Sequence, residues 1–142
     1  MSNPPSEDIK DILVTAGLGT FEATSGWSIN IAKEPNSPNQ AITLYDKGGA
    51  SPNPKFLLDE PTVRIRVRGR PGRYKGAHIK ATAIKDALLG YTPQTVNGTA
   101  YCGIMMLGDI NFIGFDDLIR PLFTTTWRVI REPSSGTYRT AI

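Results

Sequence analysis

Apolar residues along this chain recur with two different periods, and each switch between them marks an element. Ile9, Ile12, Leu13 and Ala16 fall at helical spacing, which predicts a helix over 6–16. Ser6 stands where an N-cap is needed, Glu7 and Asp8 lie at the positive end of the helix dipole, and Gly17 is a natural stop. Alternation then takes over. Trp27-Ser-Ile-Asn-Ile-Ala reads as a strand, Pro35-Asn-Ser-Pro-Asn as a turn, and Ala41-Ile-Thr-Leu-Tyr as a second strand. The run 61–69 is the clearest strand, with Val63, Ile65 and Val67 on one face and Arg64, Arg66 and Arg68 on the other. Arg70-Pro-Gly turns the chain into a second helix. Its stripe is Tyr74, Ala77, Ala81, Ile84 and Leu88, and it ends at Gly90 with Pro93 just beyond.

The last third reads as β. Thr99–Leu107 is a strand, Gly108-Asp109 a hairpin turn, Ile110–Phe115 the return strand, and Leu122–Arg131 a closing strand. Residues 46–59 hold two glycines and two prolines and predict a long irregular loop, of the kind that is usually functional or mobile. Residues 1–5 read as a flexible N-terminus and residues 133–142 as a flexible C-terminal tail. The predicted order is α-β-β-β-α-β-β-β. That pattern argues for one α+β domain over 1–142, a mainly antiparallel or mixed β-sheet with two helices packed on one face.

Composition narrows the chemistry more than the fold. The 142 residues are 39% hydrophobic, as in an ordinary globular domain. No stretch approaches the roughly 20 apolar residues of a membrane span, and the polar, acid-bearing start reads as neither a signal nor a transit peptide. Cys102 and His78 are each the single residue of their type, which excludes an internal disulfide, multi-cysteine metal clusters and two-histidine zinc sites. Cys102 alternates within an apolar strand and is expected to be a small buried residue, and His78 a surface or interface residue. No nucleophile elbow, P-loop or dinucleotide fingerprint occurs. Gly17-Leu-Gly19 reads as a helix stop and turn, Asp109, Asp116 and Asp117 as turn or cap residues, and Asn97-Gly-Thr as a turn. No catalytic, cofactor-binding or metal-binding residue is nominated, and the chain is not expected to be an enzyme.

Charge changes the picture again. The formal net charge is +3, yet residues 61–80 carry seven basic side chains and no acid, while residues 1–60 carry four basic and eight acidic ones. Such a cluster bears on partners rather than on fold. Arg68-Gly69-Arg70-Pro71 matches the core of the AT-hook, which lays arginines into the A·T minor groove. One reading is therefore a small basic DNA-binding protein using Arg64–Lys75. The other starts from the strand itself: three unpaired guanidinium groups cannot enter a dry core. With helices on one side of the sheet only, the arginine face meets water, a partner subunit or an acidic polymer.

Four stretches, in order, carry a resemblance to a known family. They are the N-terminal helix leading into the short strand (Ile9 to Ile31) and Ala41-Ile-Thr-Leu-Tyr-Asp-Lys-Gly-Gly-Ala-Ser-Pro. Next comes Glu60-Pro-Thr-Val-Arg-Ile-Arg-Val-Arg-Gly with Arg73-Tyr-Lys-Gly-Ala and the helix closing in Ile84-Lys-Asp-Ala-Leu-Leu-Gly. The last is Phe123-Thr-Thr-Thr-Trp-Arg-Val-Ile-Arg-Glu. Over about residues 6–132 the chain resembles the tail terminator proteins of long-tailed bacteriophages, a phage minor capsid protein family. The basic Arg70–Gly76 segment departs from the family pattern.

The resemblance implies a structural, non-enzymatic role in the virion tail at the head–tail interface, with assembly in the bacterial host cytoplasm. Such proteins form a homo-oligomeric ring, typically a hexamer, on the head-proximal end of the tail tube. The ring terminates tube polymerisation and joins the tail to the head-completion or stopper protein. DNA passes through the lumen, and neither cofactor nor membrane is involved. On this reading Arg64, Arg66, Arg68, Arg70, Arg73 and Lys75 are candidates for a subunit or partner interface. Asp46, Lys47, Gly48, Gly49 and Lys55 are candidates for a loop touching the tube or connector.

Overall fold

The structure, a computed structural model, describes residues 3–53, 58–91 and 93–132. Helix α1 (Pro5–Thr15) and helix α2 (Tyr74–Leu89) cover one face of a seven-stranded sheet. The strands are β1 (Thr20–Phe21), β2 (Ser28–Ile31), β3 (Ala41–Asn53), β4 (Leu58–Arg68), β5 (Gln94–Val96), β6 (Thr99–Phe115) and β7 (Pro121–Arg131). Across the sheet they run β1-β2-β3-β4-β7-β6-β5. The β1–β2 and β2–β3 pairs are parallel and the others antiparallel, so the sheet is mixed. This is the expected α+β domain with both helices on one face.

The period-two pattern decides which face is covered. Val63, Ile65 and Val67 of β4 stand opposite Trp127, Thr125 and Phe123 of β7, and Ile42 and Leu44 of β3 complete the row. Against this layer pack Ile9 and Leu13 of α1 and Ala77, Ala81, Ile84 and Leu88 of α2, all buried. Burying each large aliphatic side chain of this layer is worth about 1.5–3 kcal/mol. Trp127 is fully buried, and its indole N–H donates to Thr125 Oγ1 at 2.8 Å on the same face, so no polar atom is stranded there.

Several local expectations give way to tertiary pairing. Ser6 is not the N-cap of α1. Pro4 holds that position without a side-chain bond, and the Ser6 amide and hydroxyl instead donate to the Asp46 carboxylate at 2.9 and 2.7 Å. A distant strand thus supplies the acceptor that a local cap would have given. Residues 3–5 are held as well: Pro5 opens α1 and is buried, and the Asn3 carbonyl accepts from Arg131 at 2.7 Å.

The loop expected over 46–59 is β-paired. Residues 46–53 continue β3 and residues 58–59 begin β4, forming a two-stranded arm with register shifts after Lys47 and Ala50. Residues 54–57, and so Lys55, lie outside the described residues, as does the predicted tail 133–142. Gly108-Asp109 is likewise not a hairpin turn. β6 runs unbroken through it, and a bulge between Leu107 and Asn111 absorbs the extra residues against β7, with Gly108 at φ +78°. The strands β1 and β5 are additions.

The arm depends on one close approach. A Cβ at Gly49 would lie 2.3 Å from the Glu60 carbonyl oxygen of the paired strand. Gly49→Ala is therefore expected to destabilise the protein by about 1–3 kcal/mol, the usual range for forced overpacking. Urea unfolding measures it. Faster amide exchange confined to the arm would accompany the loss.

Candidate functional site

The face of the sheet turned away from the helices carries the basic strand. On it the rows across β3, β4 and β7 read Thr43–Arg66–Thr124, Tyr45–Arg64–Thr126 and Lys47–Thr62–Arg128. Arg64 and Lys47 are exposed, Arg66 and Arg128 partly so. Tyr45, Lys47, Arg64, Arg66, Thr124 and Ile113 of β6 line a shallow hollow of about 330 Å³. The Lys47 ammonium sits 5.9 Å from the centre of the Tyr45 ring, within cation–π range. Burial, with the Glu34 carboxylate adding to it, pushes the Tyr45 hydroxyl above its ordinary value, so it is neutral and able to donate. Arg66 Nε lies 3.5 Å from Glu34 as an ion pair without a hydrogen bond, and Thr43 and Thr124 Oγ1 are buried without partners. Cationic and polar groups are therefore aligned here, with Lys47 and Arg64 reaching the surface above buried hydroxyls.

Arg68 does not belong to this surface. It is 3% exposed, covered by the connection between β2 and β3. Its Nε donates to the Asn39 carbonyl at 2.9 Å, Nη2 to the Pro38 carbonyl at 2.7 Å, and Nη1 to Glu34 at 3.3 Å. Beside it Arg120, also buried, donates to the Asn36 carbonyl and to Asp116, both at 2.7 Å. Burial and the neighbouring Arg120 pull the Arg68 guanidinium below its ordinary value, although Glu34 opposes this. The expectation that the arginine face stays out of the interior therefore fails at this residue, because every requirement for burial is met: a carboxylate and two carbonyls. It also removes the AT-hook, whose first arginine cannot reach a groove. Arg68→Met is expected to cost about 2–3 kcal/mol by orphaning those carbonyls. The check is thermal unfolding, with amide exchange rising over residues 36–40.

The remaining basic residues lie elsewhere. Arg70, Arg73 and Lys75 are exposed around the start of α2, beside an open hollow of about 640 Å³ that Trp27 and Tyr74 also line. Lys80, in the middle of α2, donates to the Leu18 carbonyl at 3.1 Å, so the seven-residue cluster is divided among a sheet face, an internal clamp, a helix start and a helix-to-loop contact. Of the loop candidates, Lys47 joins the sheet face, Gly48 and Gly49 lie in the arm, and Asp46 turns to the helix side to hold Ser6.

Two residues were missed or misplaced. Arg128 belongs to the basic face, and its signal was present in the alternation of Trp127 and Val129 inward with Arg128 outward. Cys102 is exposed, because a register shift between Tyr101 and Gly103 breaks the alternation that would have buried it. His78 is exposed, its ring edge-on to Phe123 at 5.5 Å. Asp116 Oδ1 accepts from the Leu118 and Arg120 amides, a turn as expected. Among the described residues no group of three or more His, Cys, Asp or Glu side chains is placed to hold a metal ion.

Comparison with known proteins sets this surface in context. The family profile of bacteriophage tail terminator proteins matches residues 12–132. No curated protein sequence matches to significance. Among solved structures, a chain from the virion of a native gene transfer agent particle shares the fold with a TM-score of 0.69. It is 16% identical, and the match covers 92% of this chain and 96% of that one. With the family profile covering most of its length, the chain belongs to the bacteriophage tail terminator family, and it is a structural protein of the virion tail.

Proposed function

We propose that the protein closes into a ring on the head-proximal end of the tail tube, halts tube polymerisation there, and offers its free surface to the head-completion protein. One observation carries this beyond family membership. The helices cover one face of the sheet, and the other presents the exposed Lys47 and Arg64 in line with Tyr45, Thr62 and Thr126. In a head-to-tail ring each patch must fit a different patch on its neighbour, and a cationic face matches the acid-rich first sixty residues of the next copy.

The test is to mix the protein with the tail tube protein of the same particle and image the product by electron microscopy. Tubes of fixed length ending in a ring are expected. Lys47→Glu with Arg64→Glu, both on the surface, should leave the melting temperature nearly unchanged and weaken capping about tenfold or more, equivalent to about 1.4 kcal/mol. Tubes that grow without limit in the presence of the unmodified protein would refute the reading.

A further inference from the structure

Ile119 stands in the turn between β6 and β7 at φ +59°, a left-handed conformation that β-branched residues rarely adopt. The turn enforces it. The Ile119 amide donates to the Asp116 carbonyl and its own carbonyl accepts from the Gly72 amide, both at 2.9 Å. Asp116 Oδ1 braces the same turn by accepting from the Leu118 and Arg120 amides at 3.0 Å. The side chain held in this way points into water: Ile119 is 63% exposed and Leu118 beside it 52%. Strained backbone that presents an apolar side chain to solvent does nothing for the fold, and strain of this kind concentrates at functional sites.

A larger apolar patch surrounds the pair. Phe115 packs edge-on to Phe112 at 5.3 Å and Phe112 edge-on to Tyr74 at 5.0 Å, and all three rings are exposed. Arg70, Arg73 and Lys75, also exposed, stand on the segment that Gly72 ties to the turn. Aromatic and arginine side chains gathered at one spot are typical of the centres of protein interfaces. Ile113, from the same end of β6, lies in the hollow of the basic sheet face, so the patch and that face form one continuous side.

We infer that Leu118 and Ile119 form a knob that seats between helices α1 and α2 of a second copy of this chain. This rests on the ring reading above and names the element that engages the neighbour's first helix. Ile12 and Ala16 of α1, Ala87 of α2, Tyr91 and Val96 of β5 line an open, mostly apolar cleft of about 510 Å³. A cleft of that size takes a drug-sized ligand, and so two aliphatic side chains.

Charge selects a second copy as the occupant. Asp11 stands on the rim of the cleft, with Glu7 one turn before it and the exposed Asp86 next to Ala87 in the chain. The cations beside them are engaged, since Lys10 bridges Glu7 and Asp11 and Lys85 pairs with Asp109. Around the knob the balance is reversed. Arg70, Arg73 and Lys75 stand against the exposed Asp117, because Asp116 is held by Arg120. Opposite signs therefore surround two apolar surfaces of opposite shape.

Position agrees with charge. β6 runs from Thr99, paired with Val96 of the cleft, to Phe115, one residue before the turn. The two surfaces thus lie at opposite ends of the subunit, up to roughly 50 Å apart along the strand. A contact between unlike patches is heterologous and closes into a ring when the rotation per subunit permits. It is made by side chains rather than by strand edges, so it displaces no strand pairing in either copy.

The experiment blocks the two halves of the contact separately. Ile119→Asn removes the knob's tip and places at φ +59° a residue that accepts it, so the melting temperature should hold or rise. Ala16→Trp, at an exposed position on the cleft, fills the cleft. Each variant alone should raise the concentration at which rings assemble, read by sedimentation, about tenfold or more. Mixed at high concentration they should form a dimer and stop there, because Ile119→Asn keeps the cleft and Ala16→Trp keeps the knob. Ile119→Asn rings that form as readily as those of the unmodified protein overturn the knob contact and leave the ring reading standing. If such rings no longer cap tubes, the knob's occupant is the tube protein. A mixture that gives no dimer, when each variant alone blocks rings, overturns the pairing of knob with cleft. A melting temperature lowered by more than about 5 °C in Ile119→Asn shows that the side chain serves the fold and overturns the inference as well. A chain that remains monomeric at every concentration and in the presence of tube protein overturns both readings.

Discussion

Asp8→Ala is expected to destabilise the protein by about 3–5 kcal/mol, because it breaks a buried carboxylate's pairing with Arg131 and strands the buried Tyr101 hydroxyl. Asp8 is fully buried in the first turn of α1. Its Oδ2 accepts from the Tyr101 hydroxyl and lies 3.8 Å from an Arg131 guanidinium nitrogen, while Oδ1 accepts from Asn97 at 2.8 Å. Removing the carboxylate leaves the buried Tyr101 hydroxyl without its acceptor and takes a negative charge away from the mostly covered Arg131 guanidinium. Denaturant unfolding of Asp8→Ala against Tyr101→Phe checks the argument. The second variant should lose only about 1 kcal/mol, since Asp8 keeps Asn97 and Arg131. A shift below 1 kcal/mol for Asp8→Ala would mean that water reaches the site.

The same cluster fixes an alkaline limit. Burial, reinforced by the bond to Asp8, raises the Tyr101 hydroxyl above the ordinary tyrosine value. The folded state favours the neutral phenol, so its contribution is complete below about pH 10 and falls as pH rises through the higher folded value. Tyr101→Phe should flatten that decline.

Trp127→Ala is expected to cost about 3–5 kcal/mol. The side chain is fully buried on the central strand β7, between Val63 of β4 and Met106 of β6. Both flanking strands are held in their own ladders, so little can collapse into the cavity left behind. Against a typical total stability of about 5–15 kcal/mol, that loss brings the protein close to its unfolding threshold at 37 °C. Calorimetry measures it directly. A change of less than about 1.5 kcal/mol would indicate that α2 sinks to fill the space.

How far the sequence carried the fold depended on the distance of the deciding contact. Alternation of Val63, Ile65 and Val67 with arginines named β4 and its inner face, because period two is a local property. The same pattern could not reveal that Arg68 is buried. Its acceptors at Glu34, Pro38 and Asn39 lie about thirty residues away and meet it only once β2 and β3 lie side by side. Gly48, Gly49 and Pro52 carry loop propensities, and only pairing with β4 turns them into strand. Gly108-Asp109 has hairpin chemistry, yet the left-handed glycine serves a bulge because β7 stays paired on both sides of it. Family membership was legible because order and spacing survive such local errors. The partition of the basic residues was not, since burial of a charge depends on who answers it.

The carboxylate of Asp46 has a mechanical consequence. It anchors the first turn of α1 to the root of the β3–β4 arm, and two residues further on Asp8 anchors the same turn to Tyr101 of β6 and to the β5–β6 turn at Asn97. Helix α1 is thus a crosspiece pinned at both sides of the sheet. A pull on the arm is not taken up by a hinge at its base; it is handed through one turn of helix to the opposite edge, so that the two flanks of the subunit move as a single stiff body.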